Sequence, residues 1–245
     1  MNVRNQVQKM SLCVMAALFL LCATSVYAEV KIAVIDSGTT DASVESISFS
    51  SIPAYKDPAS HGTRIARIIQ KANPQAEIVM LQVCEAQDGR YKPSSKSVVE
   101  AIDWCRENDV DIVNLSLVIE FSREIEEAIQ RAYLERGIIF FGAAGNENIF
   151  SRFAVNDDGY MYASNKDSGS QFPASHEYVI SVGAKDSHGN VTDYSTADVD
   201  VFSNGDYAKL QGTSFACART AGYASKLFNR NMTLEQLKLA LLQQK

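Results

Sequence analysis

From residue 30 onward, short apolar runs alternate with amphipathic stretches of helical period. VKIAVI (30–35) is a six-residue apolar run ending on Asp-Ser-Gly, and predicts a strand. HGTRIARIIQKA (61–72) carries apolar residues at 65, 66, 68 and 69, one face of a helix. EIVMLQV (77–83) predicts a strand and SSKSVVEAIDWCREN (94–108) an amphipathic helix. DIVNLSLV (111–118), SREIEEAIQRAYLERG (122–137) and IIFFGAAGN (138–146) then read as strand, helix and strand, with Gly137 as the helix stop. YVISVGA (178–184) and VDVF (199–202) are further strands. A helix over 213–228 follows, then a terminal helix capped by Thr233 of Thr-Leu-Glu-Gln.

Strands that are apolar along most of their length are those covered on both faces. Their alternation with helices predicts an α/β fold: a mostly parallel twisted sheet flanked by helices on both faces, with right-handed crossovers. Between Glu147 and Glu177 the pattern lapses into loop, with Asp157-Asp158-Gly159 and Asp167-Ser168-Gly169 as turn signals. A loop that long is more often functional surface than filler. No repeat, low-complexity tract or linker divides the chain, so one domain over 29–245 is expected.

Residues 1–28 stand apart. Arg4 and Lys9 flank a region in which Met10 to Ala23 is almost wholly apolar, and Val26-Tyr27-Ala28 offers small residues for cleavage. This reads as a secretory signal cut after Ala28, because the run is short for a membrane span. A periplasmic or secreted protein without a membrane anchor is expected. Of 23 basic and 29 acidic residues, two basic and no acidic ones lie in that leader, which leaves a net charge of −8. Such a surface argues against nucleic acid and for neutral or basic protein partners. Cys84, Cys105 and Cys217 remain after the leader, an odd number without a CxxC, so neither a disulfide scaffold nor a metal motif is present. A Cys84–Cys105 bridge and buried free thiols are both open. No cofactor is expected.

Ligands of an open parallel sheet bind at the carboxyl ends of its strands. Asp36 sits at such an end, His61 opens the next helix, Asn146 closes another strand, and Ser214 opens the long helix near the C-terminus. A serine hydroxyl becomes a nucleophile when a neighbouring base takes its proton, and histidine suits that near neutral pH. The histidine needs a carboxylate on its other nitrogen, which an aspartate supplies. The Ser214 backbone N–H and the Asn146 amide are candidate oxyanion donors. Taken singly, each residue has a plainer reading: a strand-ending turn at Asp36, a solvated helix start at His61, an αL turn at Asn146, a cap at Thr213-Ser214. His176 and His188 lie beside turn residues and are expected at the surface.

In order along the chain, however, stand Asp36-Ser-Gly, His61-Gly-Thr, Asn114-Leu-Ser-Leu, Ala143-Ala-Gly-Asn-Glu and Gly212-Thr-Ser-Phe-Ala. With Phe172-Pro-Ala and Val179-Ile-Ser-Val-Gly-Ala, they resemble the subtilisin-like serine proteases, the subtilase family, over about Val30 to Ser225. The resemblance implies a subtilisin-like three-layer architecture. It also implies a serine endopeptidase that hydrolyses peptide bonds through an acyl-enzyme, with protein or peptide substrates. Asp36, His61 and Ser214 would be the triad and Asn146 the oxyanion donor. Ser116, Leu117, Val118, Ala144 and Gly145 would line the peptide cleft, where substrate pairs as an added strand.

Four departures from the family pattern carry expectations. The proline and the small residue or histidine usual after the nucleophile are gone, and Phe215, Cys217, Ala218 and Arg219 stand there. Ser-Leu-Gly-Gly has become Ser-Leu-Val118-Ile119, which is expected to narrow or reshape the pocket before the scissile bond. Arg67 replaces a packing glycine, which implies a rearranged contact or an exit to solvent. The first strand follows the leader at once, which leaves no room for a propeptide, so the expectation is either unaided folding or a separate inhibitor or folding partner in its place. No calcium-loop motif is visible, so no metal is expected. The competing reading is a catalytically weak or inactive binding or regulatory protein on the same fold.

Overall fold

The computed structural model describes residues 29–87, 89–146, 154–155, 161–162 and 170–243. The leader and most of the 147–177 loop lie outside the described residues.

Seven strands form one sheet in which every pairing is parallel. They are β1 (Lys31–Asp36), β2 (Glu45–Ser48), β3 (Glu77–Gln82), β6 (Ile112–Leu115), β7 (Ile139–Ala143), β10 (Val179–Lys185) and β11 (Val201–Asn204), in the order β11-β10-β7-β6-β1-β3-β2. Two-stranded pieces decorate it: β4 (Cys84–Gln87) with β5 (Arg90–Pro93), β8 (Ala154–Val155) with β9 (Met161–Tyr162), and β12 (Asp206–Tyr207) with β13 (Leu210–Gln211). The helices are α1 (Gly62–Ala72), α2 (Ser95–Glu107), α3 (Arg123–Arg136), α4 (Thr213–Leu227) and α5 (Leu234–Leu242).

Successive side chains of a strand point to opposite faces, and the core follows that rule. In β1, Ile32 and Val34 pack with Ile65 and Ile69 of α1, Ala216 and Ala221 of α4, and Leu237 of α5. Ala33 and Ile35 pack on the other face with Ile102 of α2 and Ile129 of α3. Both faces are therefore covered, and the apolar runs in the sequence are the consequence.

Helix ends form as the sequence predicts. Ser122 accepts the Ile125 N–H at the start of α3, and Gly137 ends that helix at φ 69. Thr233 and Gln236 exchange side-chain and main-chain bonds in a full capping box ahead of α5. Several short strands escaped the periodicity reading, β2 and β4 among them, because segments such as ESIS and CEAQ are mostly half-exposed or exposed and carry few apolar residues. All three described cysteines are free and buried, and burial pushes the Cys84 and Cys217 thiols up to about 12.

Two glycines allow close packing at the two ends of α1. A Cβ on Gly62 would lie 2.2 Å from the Gly38 carbonyl, so only glycine lets the start of α1 approach the end of β1. A Cβ on Gly222 would come within 2.9 Å of the Ile69 carbonyl and 2.8 Å of Ala72 Cβ, so α4 packs close against α1 there. The first contact seats the start of α1 against the carboxyl end of β1, and the second holds α4 against the last turn of α1.

Candidate active site

At the carboxyl end of the sheet Asp36 ends β1 with its carboxylate buried. The Ser37 N–H donates to Oδ1 at 2.7 Å, which aims the carboxylate along the turn. His61 is the first residue before α1, and its Nδ1 lies 2.8 Å from Asp36 Oδ1 and 3.0 Å from Oδ2. Burial depresses the basicity of His61. The charge and hydrogen bond of Asp36, with the charge of Asp57 behind them, outweigh that and hold its pKa above the usual imidazole value.

Ser214 opens α4, and the Phe215 ring beside it lies 6.3 Å from the His61 ring. The Ser214 hydroxyl donates to the Ser116 carbonyl at 2.9 Å, and the Ser116 hydroxyl returns a bond to the Ser214 carbonyl at 2.9 Å. Asn114 Nδ2 donates to Ser116 Oγ at 2.9 Å, and the Cys217 thiol donates to Asn114 Oδ1 at 3.3 Å. The start of α4 is thus bolted to the end of β6. No hydrogen bond joins Ser214 to His61 among the described residues.

Asn146 faces the same helix start. Its Oδ1 accepts from the Thr213 N–H at 2.8 Å and the Thr213 hydroxyl at 3.0 Å, which fixes the amide with its NH2 turned away from those donors. The Thr213 hydroxyl also accepts the Gly145 N–H at 3.2 Å. Ala144 is buried, with its N–H on the Val182 carbonyl and its carbonyl on the Gln171 N–H. Leu117 packs partly into the α2–α3 side of the core, and Val118 is 40% exposed. Ile119 turns its side chain to that core and its N–H to the Phe172 carbonyl at 3.2 Å. Val118 to Phe121, Gln171, Phe172 and Lys92 border a groove of about 840 Å³.

The odd residues after Ser214 have defined places. Phe215 is buried between His61 and Tyr207, whose ring centroid is 5.3 Å away. Arg219 donates to the carbonyls of Asn204, at 2.8 Å, and Asp206, which ties α4 to the β11–β12 segment. Arg67 leaves the α1–α4 contact for solvent, 57% exposed and 3.9 Å from Asp41. One expectation is corrected. His176 is half-buried rather than at the surface, its ring tilted on Tyr178 and its Nδ1 accepting the Tyr178 N–H. His188 is exposed as expected. Among the described residues no three His, Cys, Asp or Glu side chains converge as a metal site.

A strand-end carboxylate on a helix-start histidine, with a serine opening a second helix, is a set of groups that can support acyl transfer. Residues 28–245 match the profile of the peptidase S8 or subtilase family. The chain belongs to the subtilase family. That family is one of serine endopeptidases, and the relatives of this subtilase are proteases. Subtilisin DY of Bacillus licheniformis is 29% identical over 236 residues, covering 84% of this chain and 79% of its own. The minor extracellular protease Epr of Bacillus subtilis strain 168 is 30% identical over 231 residues, covering 82% of this chain. The chain spans only 32% of Epr and 56% of subtilisin E. Among solved structures, a lanthipeptide protease shares the fold at TM-score 0.65 and 19% identity, over 86% of this chain and 78% of its own. The self-cleaved protease domain of PatA does so at 0.64 and 21%, over 86% and 85%.

Sequence reasoning missed Asp57, buried against the first turn of α1, where it accepts the His61 and Thr63 N–H groups. The only signal was an acidic residue just ahead of a helix start. It missed the bonding roles of Ser37, Asn114 and Arg219 as well, because their partners become neighbours only on folding.

Proposed function

We propose that this subtilase is an exported serine endopeptidase that cleaves peptide bonds with Asp36, His61 and Ser214. The observation that supports the reading is His61 Nδ1 held by both oxygens of Asp36, which leaves Nε2 as the free base. Asp36 fixes the tautomer and stabilises the imidazolium that forms. Ser214 gives its proton to His61 as Oγ attacks the carbonyl carbon, and His61 returns a proton to the leaving amine. The tetrahedral oxyanion meets the Ser214 N–H and the Asn146 amide NH2. Water then repeats the sequence on the acyl-enzyme.

At rest Ser214 donates to Ser116, so its side chain turns about one bond before attack. A substrate N–H that takes the Ser116 carbonyl displaces it, which couples strand-like binding along Ser116, Leu117 and Val118 to release of the nucleophile. The apolar leader and the extracellular relative support export.

That same Ser214–Ser116 bond favours the second reading, a subtilase with little turnover. One experiment divides them: fluorophosphonate labelling of the purified chain beside Ser214→Ala. Labelling of the wild type alone is expected. An unlabelled wild type at neutral pH would overturn the enzyme reading.

A further inference from the structure

His61 is the residue at the start of α1, yet its side chain makes no capping bond, because the ring is committed to Asp36. The first N–H groups of a helix need acceptors nonetheless. Asp57 and Ser37 provide them. The Asp57 carboxylate accepts the His61 N–H at 3.2 Å and the Thr63 N–H at 2.8 Å, and Ser37 Oγ accepts the Gly62 N–H at 3.1 Å.

The same carboxylate reaches Asp36. Ser37 Oγ lies 2.7 Å from Asp57 Oδ1 and 3.1 Å from Asp36 Oδ1, so one hydroxyl proton serves two buried carboxylates. The turn between Asp57 and His61 is tight. The Asp57 carbonyl accepts the Ser60 N–H at 2.9 Å, and Ser60 adopts φ 52, a left-handed conformation uncommon for serine.

We propose that Asp57 is a positioning residue of the active centre: it caps α1 in place of His61, holds the imidazole against Asp36, and sets a second negative charge behind it. The inference rests on the triad reading above. The charged groups facing the ring are Asp36 from β1, Asp57 from the turn and Arg64 from α1 itself, while α4 presents the neutral Phe215 ring. The Cys84 and Cys217 thiols near Asp36 stay protonated. Asp57 raises the basicity of His61 and Arg64 opposes it, so removing the Asp57 charge lowers that basicity.

The test is the pH dependence of kcat/KM on a chromogenic peptide for the wild type, Asp57→Asn and Asp57→Glu. In Asp57→Asn the acid limb, where His61 loses its proton, moves down by about half a pH unit as a second carboxylate charge is withdrawn. Its plateau kcat falls roughly tenfold as the ring loses its fixed position. Asp57→Glu keeps the charge and the wild-type limb, but its longer side chain displaces the cap and lowers kcat several-fold. An unmoved acid limb in Asp57→Asn overturns the proposal. If circular dichroism finds Asp57→Asn unfolded, a wild-type kcat in Asp57→Glu overturns it instead. Fluorophosphonate labelling keeps the two ideas apart: an unlabelled wild type sinks the triad itself, whereas a labelled wild type with an indifferent Asp57 sinks only this inference.

Discussion

His61 offers a single ring nitrogen, Nδ1, to both oxygens of Asp36, at 2.8 and 3.0 Å. A shared N–H of this kind locks the tautomer, since only a protonated Nδ1 is attractive to two carboxylate oxygens at once. Asp36→Asn keeps the size but loses the charge, and the amide NH2 favours the opposite tautomer. We expect kcat to fall about 10⁴-fold with little change in KM. Stopped-flow or initial-rate kinetics on the same peptide measures it; a loss under tenfold would contradict the role given to Asp36.

The raised basicity of His61 has two consequences of opposite sign. Its folded pKa lies above the unfolded value of 6.5, so binding a proton stabilises the fold. That contribution is fully present below pH 6.5 and is lost as pH rises through the raised value. Catalysis needs the neutral base, so kcat/KM climbs over the same window. The difference in Tm between wild type and His61→Gln should therefore shrink as kcat/KM grows. Calorimetry across the window checks it, and a difference that widens with pH would reject the sign.

Much of this was legible in the chain before the fold was. β1, β3 and α1 announced themselves because both faces of the sheet are covered and one face of α1 packs on it, which leaves an unmistakable apolar rhythm. The edge strand β2 carried no such rhythm, since ESIS is half-exposed. Asp36, His61, Asn146 and Ser214 could be put forward as candidates because strand ends and helix starts converge in an open parallel sheet and because their motifs, in order, resemble the subtilase pattern. Asp57 was not, because its partners are main-chain N–H groups and a serine twenty positions away. Nor did any residue pattern disclose that Ser214 rests on the Ser116 carbonyl.

Val118 stands at the mouth of the groove, while Ile119 is anchored to the core and to Phe172. A β-branched side chain at Val118 occupies space that a glycine would leave to the substrate residue before the cleaved bond. Small residues there should be preferred by the wild type. Val118→Gly should raise kcat/KM for phenylalanine relative to alanine at that position by about tenfold. A peptide library read by mass spectrometry decides it; a wild type that already prefers large aromatics would contradict the argument.

Arg219 ties α4 to the segment ahead of it through two carbonyls, at Asn204 and Asp206. Burial pushes its pKa down, but the guanidinium remains a charged donor. Arg219→Met keeps the length and strands both acceptors, at a cost of about 2–4 kcal/mol. For a chain of this size that is a fall in Tm of roughly 5–10 °C. Because the clamp holds the helix and not the reacting atoms, kcat at low temperature should stay within about threefold of wild type. Calorimetry with low-temperature kinetics separates the two effects.

Asn146 differs from Arg219 in that its two ends have different work. Oδ1 accepts both Thr213 donors, so the orientation of the amide is set by the fold, and in the proposed mechanism its NH2 serves the oxyanion. Asn146→Ala removes both functions, and kcat should fall about 10²–10³-fold. Thr213→Val removes only the hydroxyl's bonds to Asn146 and Gly145 and leaves the 2.8 Å main-chain bond in place. It should lower Tm, with kcat reduced several-fold at most. KM should move little in either variant, because a donor aimed at the oxyanion acts only as charge develops. Equal losses of kcat in Asn146→Ala and Thr213→Val would mean that Asn146 serves only to hold the helix start, and the oxyanion role would fall.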